Sequence, residues 1–141
     1  MRTSFLHSLI FLLTGLLMAP EGVAQNAKKE AEAETQYLSA NVLFNRGDYA
    51  RAIAAYEGFL KQFPEHPKIA NVRYGLGLCY FQTRKFQEAA TLLGELAKQP
   101  NAPDAARLNL FRGQALLMLK QYAVAEEAFG AGIKALPANA D

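Results

Sequence analysis

Past residue 24 the sequence holds one histidine, His66, and one cysteine, Cys79, the two side chain types best suited to nucleophilic or metal chemistry. A working Cys/His couple needs both groups in one polar pocket. Instead His66 sits in the proline-bounded turn Phe63-Pro64-Glu65-His66-Pro67, and Cys79 sits in the apolar run Leu76-Gly77-Leu78-Cys79-Tyr80-Phe81. One of each is also too few for a tetrahedral metal site. Cys79 reads as a small buried hydrophobe, although a reactive thiol or an intermolecular disulfide would also have to use it. The carboxylates Glu88, Glu95, Glu126 and Glu127 fall on polar helix faces, where nothing desolvates them enough to act as a general acid or base. The glycines are isolated within helical patterns or at turns, so no phosphate-cradling loop is present. No enzyme activity, cofactor or metal is expected.

One further short motif could carry function. Arg46-Gly47-Asp48 is a tripeptide read by adhesion receptors when displayed on some extracellular loops. Its competing reading is a turn, with Gly47 ending one helix in the left-handed conformation and Asp48 capping the next. Net charge argues against other partners: +2 over the chain points to neither nucleic acid nor an anionic membrane surface.

The chain must next be divided into the part that folds and the part that directs. Arg2, then the 14 largely apolar residues 5–18, then Ala19-Pro20-Glu21-Gly22-Val23-Ala24 have the build of a secretory signal peptide cut before Gln25. An apolar run of this length falls short of the ~20 residues needed to span a bilayer, so no stable anchor is expected after cleavage. The product is expected to be exported, periplasmic or secreted, in a bacterium. Residues 25–35 form a polar Ala/Glu/Lys-rich lead-in, and 36–141 form the folded domain.

Apolar residues in that domain recur at helical spacing, as in Ile53, Tyr56, Leu60 and in Ala89, Leu92, Leu93, Leu96, with no alternating stretch to suggest a strand. Breaks at Gly47, at Gln82-Thr83-Arg84-Lys85 and at Lys120-Gln121, and proline-containing joints between them, predict six helices near 28–46, 49–62, 67–83, 86–98, 103–119 and 122–135. Pro67 and Pro103 are placed in the first turns of their helices. Tyr49, Phe86 and Tyr122 stand 37 and then 36 residues apart, each followed three residues later by Ala52, Ala89 or Ala125. The same register aligns Ala40, Gly77 and Gly113, and also Tyr56, Leu93 and Phe129. The small residues are expected to let the helices of a pair approach, and the aromatics to fill the gap to the next pair.

These positions resemble the tetratricopeptide repeat family, with the middle copy in best register through Leu76, Gly77, Tyr80, Phe86, Ala89 and Leu93. The resemblance implies an all-α fold, a right-handed α-solenoid of three helix-turn-helix repeats at about 33–69, 70–105 and 106–139. Departures are Ala40 and Phe59 in the first copy, and Arg112 and Gly132 in the third. The lengthened joints 63–67 and 99–103 also resemble exported bacterial envelope members: the periplasmic coordinator of the Tol-Pal system and the repeat-built lipoprotein of the outer-membrane assembly machine. The lipid-attachment cysteine of the latter is absent, as is a clear trimerising coiled coil of the former.

The resemblance further implies a non-catalytic adaptor that binds a protein or peptide segment on a concave wall made by the first helix of each pair. By register that wall holds Tyr37, Asn41 and Asn45, then Tyr74, Leu78 and Gln82, then Leu110, Gln114 and Met118. Leu78 and Leu110 can equally be buried against neighbouring helices, whereas Asn41 and Asn45 are expected to be exposed. Tyr37, Tyr74 and Leu110 stand where chaperone-tail binders carry a basic residue, so no carboxylate clamp is expected. After Pro137 only Ala138-Asn139-Ala140-Asp141 remain, which leaves a face of Leu116, Leu119, Tyr122 and Phe129 partly uncovered. The alternative to an adaptor is therefore a homo-oligomeric structural module, or the start of a longer array, assembled through that face.

Overall fold

The structure is a computed structural model that describes residues 21–137; the expected signal peptide lies almost wholly outside them. The chain divides into two compact units, Met1–Glu32 and Ala33–Asp141. In the first, residues 22–32 are helical and exposed, as strong helix formers such as Ala, Glu and Lys allow without packing. The second unit carries the fold. The elements are α1 (Glu21–Asn45), α2 (Tyr49–Gln62), α3 (Ile69–Gln82), α4 (Phe86–Ala97), α5 (Ala105–Met118) and α6 (Tyr122–Lys134). No strand occurs among the described residues, and none of these helices is long and apolar enough to cross a membrane.

Three identical turns create the pairs. After α1, the Gly47 N–H bonds the Phe44 carbonyl and the Asp48 N–H bonds the Leu43 carbonyl. Arg84 and Lys85 repeat this with Phe81 and Tyr80, and Lys120 and Gln121 with Leu117 and Leu116. Each is a Schellman closure with its pivot residue at positive φ: Gly47 at 76°, Arg84 at 62° and Lys120 at 61°. Asp48 then accepts a bond from the Arg51 N–H and opens α2. The turn reading of Arg46-Gly47-Asp48 thus describes its structure.

The longer joints differ from expectation. α3 and α5 start two residues after Pro67 and Pro103, because other groups open these helices. His66 Nδ1 accepts the Lys68 N–H at 3.1 Å, and Asp104, at φ 44°, accepts the Arg107 N–H. His66 also packs edge-on against Phe59, with ring centroids 5.3 Å apart, and so serves the joint.

Packing follows the repeat. Tyr56, Phe59 and Phe63 of the first pair enclose Val72, Leu76 and Cys79 of α3, and Leu93 and Leu96 of α4 enclose Leu108 of α5. Within pairs, a Cβ on Gly77 would lie 2.6 Å from Leu93 Cδ2, and one on Gly113 would lie 2.5 Å from Phe129 Cε1. So Leu93 and Phe129 fill the space inside their own pairs, where the sequence pattern suggested the gap to the next pair. Tyr56 does reach the next pair, since a Cβ on Gly75 of α3 would meet its ring at 2.7 Å.

Candidate functional site

α3 and α5 touch directly, whereas among the described residues α2 does not reach α4 and α4 does not reach α6. The first helices α3 and α5 therefore lie nearer each other than the second helices of neighbouring pairs do, and the expected wall belongs to the side of α1, α3 and α5.

The nine residues expected on that wall separate into three groups. Asn45, Gln82, Leu110 and Met118 are exposed, with Met118 at 53%. Tyr37, Asn41, Tyr74 and Gln114 are half-buried. Leu78 is buried at 5%, which removes it from the wall and settles its two readings in favour of packing.

The half-buried group is committed to the fold to different degrees. Asn41 was expected to be free for a ligand, but its Oδ1 accepts the Tyr56 hydroxyl at 2.6 Å and ties α1 to α2. Tyr37 packs on Phe59 with centroids 6.4 Å apart and lies under the Lys68 ammonium, which also pairs with Glu34. The Tyr74 hydroxyl is buried with no hydrogen-bond partner among the described residues. Its pKa is raised by that burial and then by the charge of Asp104, so it stays a neutral phenol. Asn109, which sequence reasoning left out, is buried too; its Nδ2 donates to the Ala105 carbonyl while its Oδ1 has no partner among the described residues. A polar residue at a position aligned with Arg73 and Gln36 gives no sequence signal of burial.

Burial pushes the Cys79 thiol up to about 12, the reverse of what a nucleophile requires. It is a core residue of the first cluster. Among the described residues no group of three His, Cys, Asp or Glu side chains could hold a metal ion.

The expected assembly face also needs correction. Leu116 is 5% exposed and packs with Ala89, Ala90, Ala115, Ala125 and Ala128, and Leu119 packs against the same cluster. Both point back into the array. Tyr122 is exposed, and Phe129 is half-buried against Gly113. The uncovered surface instead lies at Leu110, Phe129, Ile133 and Leu136. Ile133 aligns with Leu60 and Ala97, and Leu136 with Phe63, so the register could have found it.

The geometry and the family comparison agree. The profile described as tetratricopeptide repeat matches residues 37–103 and 82–140. The chain belongs to the tetratricopeptide repeat family. No curated protein matches it. Tetratricopeptide repeats generally mediate protein–protein interaction and are generally non-catalytic, and here the two matches together run over all three helix pairs. Of the residues expected on the wall of these tetratricopeptide repeats, Asn45, Gln82, Leu110 and Met118 are the exposed ones.

Proposed function

We propose that this protein is a non-catalytic adaptor of the bacterial cell envelope that holds a segment of a partner protein against the inner wall of its tetratricopeptide repeats. The observation that supports this reading is the direct contact of α3 with α5 while, among the described residues, α2 does not reach α4 and α4 does not reach α6, as expected if the first helices line an inner side of the array. The wall carries the amides of Asn45, Gln82 and Gln114, which can bond an extended backbone whatever its sequence, and Met118, whose flexible thioether adapts to different side chains. The absence of basic residues at Tyr37, Tyr74 and Leu110 favours an internal segment over a terminal carboxylate. Envelope location rests on the leader-like residues 1–24 and on the likeness to exported members of the family.

Changing Asn45, Gln82, Gln114 and Met118 together to alanine should sharply weaken capture of partners from an envelope fraction while leaving the helical circular dichroism and urea midpoint unchanged. Undiminished capture would remove the wall as the site. Recovery of the uncleaved chain from the cytoplasm would overturn the location.

A further inference from the structure

The groove between α5 and α6 has a volume of about 520 Å³ and is lined by Ala106, Leu110, Phe129, Gly132, Ile133 and Leu136, with the charged Asp104 and Arg107 also in its lining. The internal repeat shows what belongs in it. Moved back by 36 residues, five of these positions become Ala70, Tyr74, Leu93, Leu96 and Ala97, which together surround Leu108. Moved back by a further 37, they become Ala33, Tyr37, Tyr56, Phe59 and Leu60, which pack around Val72. The groove is therefore the third copy of a seat that is filled twice within the chain, each time by a first helix. No described element fills the third.

The matching plug is displayed at the other end. Val72 and Leu108 align with Thr35 of α1, Gly75 and Phe111 with Leu38, and Cys79 and Ala115 with Val42. In α3 and α5 these positions face the preceding pair, and Val72, Cys79, Leu108 and Ala115 are all 0% exposed. In α1 they line a second apolar groove, with Leu38 at 53% and Val42 at 45% exposure.

Volumes compensate across the two junctions within the chain as well. Large Tyr56 and Phe59 meet Val72 and Gly75, while Leu93 and Leu96 meet Leu108 and the larger Phe111. On the open seat, Phe129 is followed by Gly132 in place of Phe59 or Leu96, and the opposing face offers Thr35 and Leu38. Gly132 is itself buried against α5, where a Cβ would lie 3.1 Å from the Ala106 carbonyl, so it brings no side chain to the seat.

We propose that the occupant is a second copy of this chain: its α1, through Thr35, Leu38 and Val42, seats on the α5–α6 groove and continues the array from one molecule to the next. Such a junction is head-to-tail, and each copy keeps one free end of each kind, so association is open-ended unless it closes into a ring. It does not depend on partner binding by the concave wall, whose residues it leaves uncovered apart from Leu110.

The test is sedimentation velocity on the purified protein over a range of concentrations. The mass should grow past that of a dimer as concentration rises. Leu38→Glu and Ile133→Glu should each be monomeric alone, since both charges would be buried at the junction. An equimolar mixture of the two should form a 1:1 dimer and stop there, because one variant keeps an intact groove and the other an intact α1 face. A strict monomer at all concentrations overturns the proposal and leaves the groove to a helix of another protein. Self-association of Leu38→Glu equal to the parent overturns it in favour of a symmetric contact, and a mixture that remains monomeric overturns it outright. Both substituted side chains are exposed, so the helical signal should be unchanged; if either variant loses it, Val42→Glu and Leu136→Glu block the same two ends.

Discussion

Three glycines with almost the same helical environment by sequence have opposite roles in the packing. Gly77 and Gly113 are closed in by Leu93 and Phe129, whereas Gly58, also inside a helix, has nothing within 4 Å of where a Cβ would be. Alanine at Gly58 should stabilise the domain by about 1 kcal/mol, the helix-propensity difference. At Gly77 or Gly113 the same gain is outweighed by overpacking, for a net loss of about 1–2 kcal/mol. Urea denaturation of the three variants checks the contrast, and equal shifts would refute the close approach. Single positions also show how repeat logic fails locally: Asn41 was placed by register on a ligand wall, yet the Tyr56 hydroxyl claims it. Register states which way a helix position faces but not which neighbour has a bond to offer.

At the level of the helix pair, the three Schellman turns have one geometry and three sequences. Gly47 adopts positive φ freely, whereas Arg84 and Lys120 hold it against the clash of Cβ with backbone. Gly47→Ala should cost about 1 kcal/mol, and Arg84→Gly and Lys120→Gly should each gain about 0.5–1 kcal/mol, with the two gains adding because the turns are separate. A loss of stability in either glycine variant, read from the denaturation midpoint, would contradict this account. The turns also explain why the Arg46-Gly47-Asp48 tripeptide looked like a motif: glycine is the residue best suited to that pivot, and aspartate to the cap that follows.

The whole molecule is a stack of three pairs held without a disulfide, so its stability rests on burial. Part of that burial involves groups that ionise at high pH. Cys79 is pushed up to about 12 from 9.0 by burial; Tyr80 is pushed up to about 12 from 10.0, first by burial and then by its bond to the Glu57 carboxylate; Tyr56 is raised further, again chiefly by burial. Each holds its proton more tightly folded than unfolded. Their contribution is therefore complete below about pH 9 and is lost progressively toward pH 12. The urea midpoint should fall steadily above pH 9, and a midpoint that stays flat to pH 11 would rule out this linkage. The helix count, the pairing and the period were legible in the chain itself, because Tyr49, Phe86 and Tyr122 and their alanines recur wherever the same local packing recurs. The start of α3 was not, since His66 bonds the Lys68 N–H through a contact that no propensity encodes, whereas Asp104 is a residue type favoured at the N-cap and could have marked the start of α5 in place of Pro103. The surfaces were legible only in part. Asn45, Gln82 and Met118 are exposed, while Leu78 and Leu116 turned inward and Ile133 and Leu136 are exposed at an open groove. Periodicity assigns a residue to a face of its own helix; whether that face is covered depends on which helix packs against it, and that is a property of the folded stack.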